Sequence, residues 1–86
     1  VLDLYLDRAD VNYKLNKLED AQNDYLKAIS LDASNPQSPI EFGTFLWKTG
    51  AYSKAAEQYG NAYKLQPDDK SLLVNKAYLL QLAKDN

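Results

Sequence analysis

Any chemistry at the side chains of this chain must be carried by carboxylates, hydroxyls and aromatic rings, because neither histidine nor cysteine occurs among its 86 residues. That removes the usual nucleophile and base pairs, imidazole and thiolate metal sites, and any disulfide framework. The acidic clusters are Asp20 with Asp24, four residues apart, and the adjacent Asp68 and Asp69. The first spacing places both carboxylates on one exposed helix face, and the second suits the cap of a helix start. No GxGxxG or P-loop sequence is present to cradle phosphates. Catalysis, a bound cofactor and a metal centre are therefore not expected. Recognition by rings remains: seven Tyr and one Trp, Trp47, offer large contact area at low entropy cost.

Those rings need a scaffold, and apolar spacing supplies one. From Leu2 to Leu15 the apolar residues recur at helical spacing, Asn16 and Lys17 interrupt the pattern, and a second helical run extends from Leu18 to Leu31. Asp32 to Gln37 is polar. Ser38, Pro39, Ile40 and Glu41 then read as a capping box with proline at the first helical position. This third helix should run to about Thr49 and close at Gly50, with a fourth from about Ser53 to Leu65. Pro67 cannot continue that helix, and Asp68 or Asp69 can cap a fifth over Lys70 to Lys84. Gly60 sits inside the fourth helix at a cost of about 1 kcal/mol relative to alanine, which a close backbone approach or a kink would explain. Strand alternation is absent.

The helices repeat. Ala21, Tyr25, Ala28 and Leu31 return as Ala55, Tyr59, Ala62 and Leu65, each displaced by 34 residues, and the same period links Ala9, Gly43 and Ala77, and Leu6, Ile40 and Val74. Spacings of four, three and three put the first set on one helix face, which is the buried one. Small residues at the crossing of Ala21 with Ala9 and of Ala55 with Gly43 let the backbones approach closely, and Tyr25 and Tyr59 fill the space between layers. The chain divides into repeats at 2–35 and 36–69 and a half repeat at 70–86, all within one domain spanning 1–86.

Composition sets outer bounds. At 45% hydrophobic and 26% charged residues the chain should fold. Its net charge of -2 and pI near 4.9 deny a nucleic acid the counterion-release term. No apolar run reaches the length of a membrane span, and the first residues lack the features of a signal peptide, so the compartment is left open. Beginning at Val1 without Met, the sequence reads as a piece of a longer polypeptide.

The chain resembles the tetratricopeptide repeat. Phe42, Gly43, Leu46, Tyr52, Ala55, Tyr59, Ala62 and Pro67 carry the resemblance in the middle repeat, and Tyr5, Ala9, Leu18, Ala21, Tyr25 and Ala28 in the first. The resemblance implies an all-α solenoid of antiparallel helix pairs, about two and a half units and five helices, forming part of a right-handed superhelix with a concave groove. It also implies a non-catalytic module for protein partners. Alignment with the family places Leu6, Asp10 and Tyr13, then Ile40, Thr44 and Trp47, then Val74 and Tyr78 in that groove. Lys14 and Lys48, one period apart, could meet a weakly acidic segment. The subclass that grips the carboxylate of chaperone tails places Lys, Asn and Arg on its first helices. This chain has Leu6, Asp10, Glu41, Ser71 and Asn75 there, and Asp10 and Glu41 would repel such a tail.

There are departures. Ala33 stands where Pro67 does, and Asn16 where Gly50 does, though asparagine tolerates left-handed geometry. Arg8 and Asn12 replace Phe42 and Leu46, and the family suggests Asp24 as the partner of Arg8. In the fifth helix Leu72, Leu73, Val74, Ala77, Tyr78, Leu79, Leu80, Leu82 and Ala83 cover more than one face, so further repeats or a second copy should meet it. Two functions follow: an adaptor that binds a peptide, or a structural segment that assembles with itself or with other repeats. The same aromatic groove would also suit a glycan.

Overall fold

A computed structural model describes residues 2–85 of the chain. Five helices follow one another: α1 (Leu2–Lys14), α2 (Leu18–Leu31), α3 (Gln37–Lys48), α4 (Tyr52–Leu65) and α5 (Lys70–Asp85). Their packing follows chain order, α1 on α2, α2 on α3, α3 on α4 and α4 on α5, with α1 also reaching α3. No helix among the described residues is long and apolar enough to cross a membrane.

The turns inside each pair are made by residues that accept left-handed backbone. Gly50 has φ of 86°, and Asn16, in the same place one period earlier, has φ of 62°. Each lets the chain reverse and satisfy the open carbonyls of the preceding helix: Ala51 N–H bonds Leu46 O at 2.8 Å, and Lys17 N–H bonds Asn12 O at 2.8 Å. Asn16 therefore does the work of glycine. At the start of α5 it is Asp69 whose Oδ1 accepts the Ser71 backbone N–H at 3.1 Å.

The expected start of α3 is corrected. Pro36 already has helical angles, φ of -68° and ψ of -18°, so the helix begins at Gln37 rather than after Ser38. Asn35 Oδ1 accepts the Gln37 N–H at 2.9 Å and takes the capping role. Ser38 is fully buried with its hydroxyl unpartnered, and Glu41 accepts a bond from the Gln37 side chain at 2.7 Å, so no capping box forms.

Burial reproduces the period with one exception. Ala21, Tyr25 and Ala28 are buried, as are Ala55, Tyr59 and Ala62, but Leu31 and Leu65 are 44% and 41% exposed. Both are the last residues of their helices, where the chain leaves the layer. At the crossing of α3 and α4, a methyl on Gly43 would lie 3.1 Å from Tyr59 Cε2 and 3.4 Å from the Ala55 carbonyl, so the contact is as close as small residues permit. At Gly60 the anticipated close approach of another backbone is not found. A methyl there would face the side-chain stem and ammonium of Lys76 at 3.4 Å, not another backbone.

Between the two repeats lies an aromatic seam. Tyr25 stacks on Phe42 at 5.5 Å and meets Phe45 at 5.2 Å, and within the second repeat Trp47 meets Tyr59 edge-on at 6.1 Å. Where the first pair has polar residues instead, Asp24 receives Arg8 Nη2 at 2.6 Å, Arg8 Nε at 3.0 Å and Asn12 Nδ2 at 2.9 Å. Asp24 is thus buried and bonded, while Asp20 is exposed, and the two do not share a solvated face. In α5, Leu72 and Leu79 are buried, while Leu73, Val74, Ala77, Tyr78 and Leu80 are exposed along its outer side. The half repeat carries its unpaired face openly.

Candidate functional site

The first helix of each pair, α1, α3 and α5, brings one set of side chains to a common side because positions four, seven and eight residues apart share a helix face. At its centre stands Trp47 of α3, half-buried, with its ring 5.7 Å from that of Tyr78 on α5. Tyr78 is 53% exposed and Val74 65% exposed. Towards α1, Tyr13 meets the edge of Phe45 at 5.8 Å, and the ammonium of Lys48 lies 5.5 Å from the Tyr13 ring centre. Tyr13 with Phe45 and Trp47 with Tyr78 thus form two ring clusters along one strip of this side, the first between α1 and α3 and the second between α3 and α5.

Two of the anticipated contact residues play other parts. Leu6 is only 4% exposed and belongs to the core, so it offers no open surface to a partner. Ile40 is half-buried against that core. Thr44 Oγ1 bonds the Ile40 carbonyl at 2.9 Å and the Tyr59 hydroxyl at 2.7 Å, so it fixes a layer tyrosine from α3. Neither lysine stands free: Lys14 pairs with Asp10 at 3.0 Å on the same helix, and Lys48 rests on Tyr13.

A recess of about 150 Å³ opens between α1 and α3. Asp10, Tyr13, Glu41, Thr44 and Lys48 surround it, and Tyr25 and Phe45 reach it from beneath. Tyr25 thus does more than fill the space between layers. Its hydroxyl is pushed up to about 12 by burial first, and then by the negative charges of Glu41 and Asp10, so it stays protonated at neutral pH. One signal of its place was in the sequence: Asp10 precedes Thr44 by one period, as Tyr25 precedes Tyr59. Among the described residues no three carboxylates converge as a cation cage.

With this geometry established, the comparisons with known proteins are decisive for family. The tetratricopeptide-repeat family model matches residues 2–35. A TPR repeat-containing protein of Dictyostelium discoideum is 36% identical, in an alignment covering 76% of this chain. The chain belongs to the tetratricopeptide-repeat family. A second relative, the bacteriophage adsorption protein A of Escherichia coli K12, is 28% identical over 94% of this tetratricopeptide-repeat chain. The chain spans 27% of the first relative's length and 8% of the second's. Tetratricopeptide repeats are in general protein-interaction modules, and the five stacked helices agree with that membership.

Proposed function

We propose that this chain is a non-catalytic module that binds a segment of a protein partner along the side shared by α1, α3 and α5. The observation that carries the reading is the strip of partly open rings, Tyr13, Trp47 and Tyr78, linked through Phe45 and Tyr59 to the core. Rings held from behind lose little freedom when a ligand covers them, which favours affinity. Asp10, Lys14, Thr44, Lys48 and Val74 flank the strip, and Ile40 supports it.

Peptides selected against the domain from a random display library test the reading. Truncating a central aromatic anchor costs about 2 kcal/mol or more, so Trp47→Ala should weaken the selected peptides at least about thirtyfold. Circular dichroism should show the helices retained. Peptides that bind Trp47→Ala as tightly as the parent would reject the strip as the binding surface.

A second reading, self-assembly, has its own support in the open side of α5, where Leu73, Ala77 and Leu80 are exposed one period after buried Pro39, Gly43 and Leu46. Light scattering across a concentration series separates the two readings. A mass that stays monomeric would remove assembly of this segment with itself.

A further inference from the structure

We propose that the recess between α1 and α3 is a seat for a cationic side chain, arginine above lysine, presented by the partner segment. The proposal rests on the recognition side assigned above and names the chemistry of one of its subsites.

Three observations converge. First, the recess contains two carboxylates, Asp10 and Glu41, whose existing partners are weak. Asp10 is held by Lys14, a side chain that is 71% exposed, and Glu41 by the exposed amide of Gln37. Exposed pairs of this kind contribute little and exchange readily. Second, Tyr25 is 95% buried by its 5% exposure, yet its hydroxyl opens on the recess and has no hydrogen-bond partner among the described residues. Its counterpart Tyr59 is satisfied by Thr44 at 2.7 Å. Asp10 occupies the place of Thr44 one period earlier, but its carboxylate is turned to Lys14. A hydroxyl that reaches solvent at a recess with no protein partner is suited to accept an N–H from a ligand while donating to a neighbouring carboxylate.

Third, the chain already puts a cation there. Lys48 lies over the Tyr13 ring at 5.5 Å, so the face of the ring is shown to accept positive charge. Lys48 is exposed and flexible, and its displacement into water costs little. A guanidinium gains more than an ammonium at this place. It can stack on Tyr13 while its N–H fork reaches Asp10, Glu41 and the Tyr25 oxygen, whereas lysine presents a point charge. Lys48 is then a competitor for the seat rather than a contact for an acidic segment.

The test uses acetylated and amidated pentapeptides of sequence Ala-Leu-Xaa-Leu-Ala, with arginine, citrulline, lysine or glutamate at the centre, titrated into the isotope-labelled domain. The arginine peptide should bind about five- to tenfold tighter than the citrulline peptide, with amide shifts centred on Tyr13, Tyr25, Thr44 and Lys48. Lys48→Gln, which vacates the seat, should tighten arginine binding a few-fold, and Asp10→Asn with Glu41→Gln should erase the preference for arginine. A merely structural role for these groups would move none of those ratios. Equal binding of the arginine and citrulline peptides, with shifts still on the recognition side, overturns the cation seat and leaves the proposed function standing. Loss of arginine binding in Lys48→Gln, or shifts confined to other parts of the domain, also overturns it. The Trp47→Ala comparison judges the wider reading separately.

Discussion

Tyr59→Ala should lower the free energy of unfolding by about 3–5 kcal/mol, the range for deleting a buried aromatic ring. The ring is 4% exposed and packs from α4 against α3. It lies within van der Waals reach of Gly43, meets Trp47 at 6.1 Å, and its hydroxyl bonds Thr44 at 2.7 Å. Gly43 has no side chain to move into the gap, so at that point the hole stays open and adds to the cost. A domain of this length holds roughly 4–13 kcal/mol in all, so the variant would lose a large share of it. Tyr59→Phe isolates the hydroxyl and should cost only about 1 kcal/mol, the value of one hydrogen bond. Urea titration followed by far-ultraviolet dichroism checks both. A midpoint for Tyr59→Ala close to that of the parent would mean that the layers do not depend on this ring.

Asp24→Ala comes next, at about 2–3 kcal/mol, because a nearly buried carboxylate loses three hydrogen bonds from Arg8 and Asn12. The Arg8 side chain is 61% exposed, so the cation left behind returns to water and adds no buried charge. This variant also has a pH signature. The hydrogen bond from Arg8 holds the Asp24 carboxyl below its ordinary value of 3.8, burial opposes it, and the charge of Arg8 and the Asn12 bond act with the first. The folded state therefore keeps this carboxylate ionised more firmly than the unfolded chain does. Its contribution is complete above the ordinary value and is lost as pH falls through the lower folded value. The stability gap between parent and Asp24→Ala should stay constant from neutral pH to about 4 and narrow in stronger acid. A gap that widens on acidification would show that the group is not stabilised as a carboxylate.

Much of this architecture was legible because helices announce themselves by spacing and turns by residue type. α2 runs from Leu18 to Leu31, and Gly50 and Asn16 take the left-handed angles that their types permit. The start of α3 was not legible. Pro36 and Pro39 are equally acceptable as early helical residues, and only the backbone of Pro36 decides that Asn35, not Ser38, is the cap. The pairing of Arg8 with Asp24 was readable through family resemblance, yet the four-residue spacing of Asp20 and Asp24 suggested a wet face. Spacing says which residues share a helix side but not where the edge of the neighbouring helix falls. The recognition side was half legible for the same reason. Trp47, Tyr78, Tyr13 and Lys48 lie where the period places them, whereas Leu6 is buried in the core and Tyr25 opens onto a recess that no local pattern reveals.

Contacts limited to near neighbours along the chain have a kinetic consequence. Each layer can open without tearing distant parts apart, so within this segment α1 and α5 open before α2, α3 and α4, which are flanked on both sides. Opening an end helix of this segment costs less than opening one from the middle, so local opening there precedes the cooperative unfolding of the domain. Within this segment Asp10, Tyr13 and Tyr78 therefore sit on helices with fewer packed neighbours than the helix that carries Trp47.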